Sequence, residues 1–477
     1  MSTIPVLLAE AVERFGDRPA LWHAGRRWTF AELDAAADRV AAWLCARGVG
    51  PGDRVAVRMP NDPACVMCAY GIWRAGATMV PVNPLYAPDA AARIVRDSGA
   101  RLTLELDAMP GILDASGPAP RAEPASADVA VLQYTGGTTG EPKGAMLTHA
   151  ALLAGQRQLL ERCPELLPGE ERLFGALPMA HVSGLVLGTL LSASLGAELL
   201  VVPRFTAERA VALAEELRPT FLPIVPTMAT ALLRLEGAGG GPWSSVKVIT
   251  AGAAPLAVDL QRRFEDLTGC PVRPSYGATE TCAIATLSPA TGAAPGSSGV
   301  AMPGTQIEIR SVEDPSVALP AGERGEIAVR GPQVAAGYWN RPEETAEYFA
   351  GGAFRTGDVG YLDEDGSLFV VDRLKDVIIA SGHNVYPATV ERAVFTHPAV
   401  AETLVIGVPD DYRGETVKAY VVLRPGHALT LEELQAHLRG RLSPMEMPRQ
   451  LEIRSELPKT AVGKLSRRAL RQEMATA

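Results

Sequence analysis

The stretch Tyr134–Gly144, YTGGTTGEPKG, limits what this chain can be more than any other, because it places four glycines, three threonines and one lysine in eleven residues. Gly136, Gly137 and Gly140 free the backbone for positive φ and let its N–H groups approach a ligand, while Thr135, Thr138 and Thr139 add hydroxyls and Lys143 a mobile positive charge. Such a set suits the oxygens of a phosphate. The run Val129–Leu132 before it reads as a short buried strand, and the apolar-periodic stretch from about Thr148 reads as a helix, so the expected context is strand, glycine loop, helix. Taken alone, such a loop also fits a glycine-rich surface turn. It is not a Walker A sequence, because Gly144 and Ala145, not Ser or Thr, follow Lys143.

With 477 residues, 47% of them hydrophobic, the chain can bury a large core in more than one domain. Its net charge of −9 argues against nucleic acid as a partner, so a polyanionic substrate would need a local cluster of cations. Met1–Pro5 lacks the basic start of a secretory leader, and no 18-residue apolar stretch is free of charges, which predicts a cytoplasmic protein with no transmembrane segment. Val182–Val202 is the longest apolar candidate and reads as buried core. Six scattered cysteines fit a reducing compartment; Cys65 and Cys68 form a C-x-x-C pair inside an apolar helical stretch, which predicts packing rather than metal or redox chemistry.

Thr29 and Glu32 form a capping box for a helix running to about Arg47. Arg54–Met59 and Thr78–Pro81 alternate as strands on either side of a helix at about Cys65–Ala75, the pattern of an α/β fold with largely parallel sheets. Residues 110–128, rich in Pro, Ala and Ser, read as a loop. In LPMAHVSGL (177–185) and FLPIVPTM (221–228), prolines bound short apolar runs as though strands ended at a cavity. KVITAGAAP (247–255) and SYGATET (275–281) combine small residues, over which a flat ring can approach, with the aromatic face of Tyr276. In FRTGDVGYLDEDGSLFVVDRLKD (354–376), Asp358 can accept hydrogen bonds from two vicinal hydroxyls and Arg373 can complete that contact. PKTAVGKLSRR (458–468) presents Lys464 after Gly463; by itself this would be a basic solvated tail.

These motifs, in this order, resemble those of the adenylate-forming superfamily, and the phosphate loop with Gly136 looks like that of bacterial fatty acyl-CoA ligases. The resemblance covers about Trp28 to Leu470. It implies an α/β fold: a large N-terminal domain of stacked sheets and helices with a distorted β-barrel, over residues 1–374, plus a small mobile α+β C-terminal domain, 375–477. It implies ATP, Mg²⁺ and CoA as cofactor and co-substrates. Thr135, Gly136, Gly137, Thr138, Thr139, Gly140 and Lys143 would hold phosphates. Gly252, Ala253, Tyr276 and Gly277 would hold adenine, and Asp358 and Arg373 ribose. Thr279 would contact phosphate, Glu280 would hold the metal, and Lys464 would be the catalytic lysine. Lys375 would be the hinge, after whose rotation Ser381–Asn384 reaches the site.

His181, Val182 and Ala278 would line the acid pocket, His181 as wall or gate unless it is simply a packed histidine. No aspartate stands at Ala180–Ser183 to pair an ammonium, which disfavours an amino-acid substrate. Arg413, Lys418 and Arg441 are candidates for the CoA phosphates. Thr389, the MEMP segment (445–448) and Pro274 depart from the family pattern and bear on the CoA surface and the identity of the acid. The expected function is an acyl-CoA synthetase for a fatty or other hydrophobic acid. The alternatives are adenylation of an unusual small acid such as nitrite, loading of a carrier protein, and a catalytically silent adenylate binder.

Overall fold

A computed structural model of the chain describes residues 3–115, 117, 122–135, 142–380, 383–410, 413–459 and 465–476. It divides into two compact units, one comprising Met1–Glu308, Ala328–Thr356 and Asp363–Phe369, the other Ile309–Ile327, Gly357–Leu362 and Val370–Ala477.

The first unit is built on two sheets. In the nine-stranded sheet the strands Val272–Tyr276, Val248–Ala251, Phe221–Ile224, Arg172–Gly175, Glu198–Val201 and Pro19–His23 lie side by side and parallel. In the five-stranded sheet Leu102–Leu104, Arg54–Val57, Thr78–Pro81 and Val129–Thr135 are parallel, and Lys143–Thr148 runs antiparallel at one edge. Helices close over these sheets, as continuous apolar strands require.

The expected helix near the N-terminus is Phe30–Cys45, and its capping box is formed: Thr29 Oγ1 accepts from Glu32 N and Glu32 Oε2 from Thr29 N. It packs on Pro63–Arg74, where a Cβ on Gly71 would stand 2.4 Å from Val40 Cβ, so glycine permits the close crossing. Arg74, buried at the end of that helix, is neutralised by Asp34 and Asp38. Cys65 and Cys68 are buried in the same helix, and burial pushes the Cys65 thiol up to about 12, so they pack as expected.

Val182–Val202 is buried as expected, but as a broken helix and strand: Val182–Gly184, a π turn Leu185–Leu190, Leu191–Leu195 and the strand Glu198–Val201. Carbonyls along the π turn accept from side chains on other helices, Val186 O from Gln156 and Thr189 O from Tyr70. The loop expected over 110–128 begins instead inside a short helix, Met109–Leu113; its described part, 122–128, is irregular.

A four-stranded sheet of Gln306–Arg310, Gly325–Arg330, Phe354–Leu362 and Leu368–Arg373 has residues in both units. Among the described residues it is open, and none of the sheets closes into the distorted barrel that the resemblance implies. In the second unit His383–Val385, Ile378–Ala380, Gly414–Leu423 and Val400–Asp410 form an antiparallel sheet, joined in parallel by Gln450–Ile453. The helices Pro387–Phe395, Leu431–Leu438 and Arg467–Thr476 accompany it, an α+β arrangement. No helix among the described residues is long and apolar enough to cross a membrane.

Candidate active site

Parallel strands deliver their following loops to one edge, and ligands of open α/β sheets bind outside that carboxyl edge. Here the strands Arg172–Gly175, Phe221–Ile224, Val248–Ala251 and Val272–Tyr276 end where His181 and Val182, Pro226, Gly252 and Ala253, and Gly277–Glu280 follow. The structure therefore brings these sequence-predicted residues to one edge of one sheet.

Backbone strain collects there. Ala253 has φ +64°, and Cys282 and Ala283, just past Glu280, have φ +49° and +80°, values that side chains with a Cβ rarely adopt. The turn closes so tightly that a Cβ on Gly277 would lie 2.2 Å from the Ala283 carbonyl oxygen. Thr281, fully buried, holds it: its hydroxyl accepts from Ala278 N and donates to Ala278 O. Tyr276 is half-buried at the strand end, where its ring can face a base. Glu280 lies in the single turn Thr279–Thr281, 7% exposed, and accepts from Tyr338 Oη at 2.7 Å.

His181 is exposed and caps the helix Val182–Gly184. Its Nδ1 accepts from Ser183 N and lies 2.8 Å from Ser183 Oγ, which leaves Nε2 as the protonated nitrogen of the neutral ring. Val182 behind it is buried. The segment before it is irregular rather than a strand end, held by Asn61, which accepts from Met179 N and donates to Leu177 O, and by Gln133, which donates to Ala180 O. A narrow cavity adjoins it, lined by Phe174, Leu177, Met179, Leu187, Leu199 and Pro223 together with small residues, none of them charged.

At the phosphate loop the structure corrects the expected context. Thr135 ends one strand and Lys143 begins another, paired to each other in antiparallel register, so the loop joins a hairpin and no helix N-terminus follows it directly. The helix comes later, His149–Arg162, capped by Thr148. The positive character at Lys143 is thus its own charge. Its Nζ lies 5.2 Å and 4.7 Å from the ring centres of Tyr338 and Tyr348. Gly136, Gly137, Thr138, Thr139 and Gly140 lie outside the described residues, as do Lys464, Ser381 and Gly382.

In the second unit Arg373 Nε lies 3.1 Å from Asp358 Oδ1, so the two residues expected at ribose are in contact. Gly357, with φ +70°, turns the chain beside Asp358, and its N–H donates to the buried Glu326 carboxylate. Lys375 sits in the turn Leu374–Asp376, its amine pushed down by burial. Asp376 is held by Arg467 at 3.4 Å and Arg471 at 2.7 Å, and Arg467 also grips Asp372 at 2.9 Å and Glu391 at 2.5 Å. Of the cations considered for CoA, Lys418 is committed to Glu452 at 2.8 Å.

The sequence reading missed Tyr338, Tyr348, Arg467 and Thr281. Aromatic residues make up only 5% of the chain, yet Tyr338, Trp339, Tyr348, Phe349 and Phe354 fall within seventeen positions, a signal available in the sequence.

Among the described residues no cluster of three or more His, Cys, Asp or Glu could enclose a metal. One buried carboxylate beside a phosphate-type loop instead fits Mg²⁺ carried by a nucleotide, which needs only one or two protein carboxylates. Sequence comparison agrees with the geometry: the family described as AMP-binding enzyme matches residues 8–339, and its C-terminal domain matches 389–464. The chain belongs to the AMP-binding enzyme family. It is similar to a long-chain-fatty-acid–CoA ligase of Bacillus subtilis, with 37% identity over 99% of this chain and 94% of the relative. A feruloyl-CoA synthase of Amycolatopsis is 36% identical over 95% of both. The structure of O-succinylbenzoate coenzyme A synthetase from Bacillus subtilis, in complex with ATP and magnesium ion, superposes with a TM-score of 0.88 at 29% identity, covering 98% of this chain and 99% of that one. Within the AMP-binding enzymes the chain is an AMP-forming acid–CoA ligase.

Proposed function

We propose that this ligase activates a hydrophobic carboxylic acid, fatty in its leading form, and passes the acyl group to CoA. What supports the reading is the uncharged segment 177–187 around His181 and the buried Val182; the gap adjoining it, about 10 Å³, has room for no more than a water and is not itself an acid pocket. A substrate ammonium or second carboxylate buried there would lack a partner and keep its desolvation cost. The names of the relatives, a long-chain-fatty-acid and a feruloyl ligase, support the same class.

In the first half-reaction a carboxylate oxygen attacks the α-phosphorus of ATP, and the bond to the bridging β-phosphate oxygen breaks to release pyrophosphate. Two anions must meet, so fixed donors and cations set the rate. Lys143 and the hydroxyls of Thr135, Thr138 and Thr139 bind the β- and γ-phosphates, and Thr279 contacts phosphate. Tyr276, Gly252, Ala253 and Gly277 hold the base, and Asp358 with Arg373 the ribose hydroxyls. Glu280 would hold Mg²⁺, which would neutralise phosphate charge. By its motif Lys464 orients the carboxylate toward the α-phosphate. In the second half-reaction the CoA sulfur attacks the acyl carbonyl and AMP leaves, after the chain turns at Lys375, the start of a C-terminal domain 375–477.

Pyrophosphate release with ATP and Mg²⁺, measured over fatty, aryl and short acids and nitrite with and without CoA, tests this. CoA-dependent turnover is expected on one hydrophobic acid. Release on nitrite, or release indifferent to CoA, would overturn the reading in favour of an amine or carrier-protein acceptor.

A further inference from the structure

We propose that Tyr338 is a positioning residue for the adenylation step, holding Glu280 through its hydroxyl and Lys143 through its ring and so setting the spacing of the two. The inference rests on the reading above, in which Glu280 holds the metal and Lys143 meets phosphate.

A carboxylate and an ammonium sharing one neighbour would ordinarily pair. Among the described residues no ion pair joins Lys143 to Glu280. Instead Glu280 Oε1 accepts the Tyr338 hydroxyl at 2.7 Å, while the Lys143 ammonium lies over the rings of Tyr338 and Tyr348. One tyrosine thus touches both charged groups. A phenol hydrogen bond fixes a carboxylate without neutralising it, and a ring face attracts an ammonium far less strongly than a phosphate does.

The tyrosine is itself held at both ends. Its backbone bridges to Ala145, and around it Met146 N donates to Gly337 O and Trp339 N to Gly144 O, which fastens it to the strand that begins with Lys143. Three residues earlier Ala335 N donates to Glu280 O, which fastens the same segment to the metal-binding turn. Its ring, 6% exposed, meets Tyr348 edge-on at 6.2 Å and Phe349 at 5.4 Å. One short segment therefore sets the spacing of the two charged groups.

The test is binding, without turnover, of α,β-methylene-ATP with and without Mn²⁺, by calorimetry and by the electron paramagnetic resonance of the metal. Tyr338→Phe removes only the hydroxyl. It should weaken the Mn²⁺-dependent part of binding by roughly 10–100-fold, the usual effect of losing a partner of a metal ligand, and leave metal-free nucleotide affinity within about twofold of wild type. Tyr338→Leu should weaken both. Tyr348→Leu, which leaves Glu280 its hydroxyl, should lower only metal-free affinity, by roughly 2–5-fold, and it keeps the inference testable if the Tyr338 variants do not fold. A folded Tyr338→Phe protein with the wild-type Mn²⁺ increment would overturn the inference, as would equal loss in both arms. Glu280→Gln in the same titration separates the two readings. If it retains the Mn²⁺ increment, the metal assignment itself fails; if it loses the increment while Tyr338→Phe keeps it, only the role of Tyr338 fails.

Discussion

Glu280 and Lys143 share an aromatic neighbour, whereas around Asp376 charged groups meet one another directly. Glu280 takes a phenol hydroxyl and Lys143 two ring faces. Asp372, Asp376 and Glu391 share the single guanidinium of Arg467, itself 15% exposed, with Arg471 adding a second hold on Asp376. Burial alone would disfavour all of these charges. The difference is whether the charged groups touch each other or a shared aromatic neighbour. A cation saturated by three carboxylates is bracing; a cation resting on aromatic faces beside a phosphate-type loop is one whose counter-charge arrives with the substrate.

The largest effect should come from breaking the saturated network. Arg467→Ala takes the cation from the buried Asp372 and from Glu391 and leaves Asp376 only Arg471, and should destabilise the second unit by about 3–5 kcal/mol, the cost of removing one partner of a buried pair. All six tryptophans lie at or before Trp339, so tryptophan fluorescence reports on the first unit alone. Hydrogen exchange in the strand Val400–Asp410 is the appropriate probe. Unchanged protection there would show that Arg467 is not the brace.

Next comes Glu280→Gln, expected to slow pyrophosphate release by roughly 10²–10³, the scale of losing one preorganised charge-stabilising group, while leaving thermal unfolding near that of wild type. A marked drop in stability with little loss of rate would make Glu280 a bracing residue like Asp376 and erase the contrast. The smallest effect belongs to Arg471→Ala. That side chain is 38% exposed, and Asp376 retains Arg467, so a change within about 1 kcal/mol is expected in the same exchange measurement. A loss as large as that of Arg467→Ala would mean the two arginines act as one unit.

How much of this could be read from the chain follows the range of each interaction. The capping box at Thr29 and the strand Thr78–Pro81 are local patterns and stand where expected. Asp358 and Arg373, both singled out for ribose, are fifteen positions apart on neighbouring strands and stand 3.1 Å from each other. The hairpin at Lys143 was not legible. KGAMLT is too short and too mixed for its period to separate a strand from the approach to a helix, and its pairing with residues 336–339 is nearly two hundred positions away. Tyr338 was missed for the same reason, since its hydroxyl and its ring serve residues far away in sequence. Arg467 drew no reading of its own within the basic stretch 458–468, because a buried network of charges looks, in sequence, like any basic run.

The π turn Leu185–Leu190 also bears on how such a pocket can change in descent. A π turn is an α-helix carrying one residue too many, so a deletion of a single codon within it restores the α ladder. That event would rotate Val182 and His181 by about 100° about the helix axis relative to Leu191 and shorten the segment by about 1.5 Å. It would also withdraw the carbonyls that Gln156 and Tyr70 now bind. The residues beside the apolar gap can therefore be re-aimed in one genetic step without any of them being replaced, a change that an inventory of substitutions would not record.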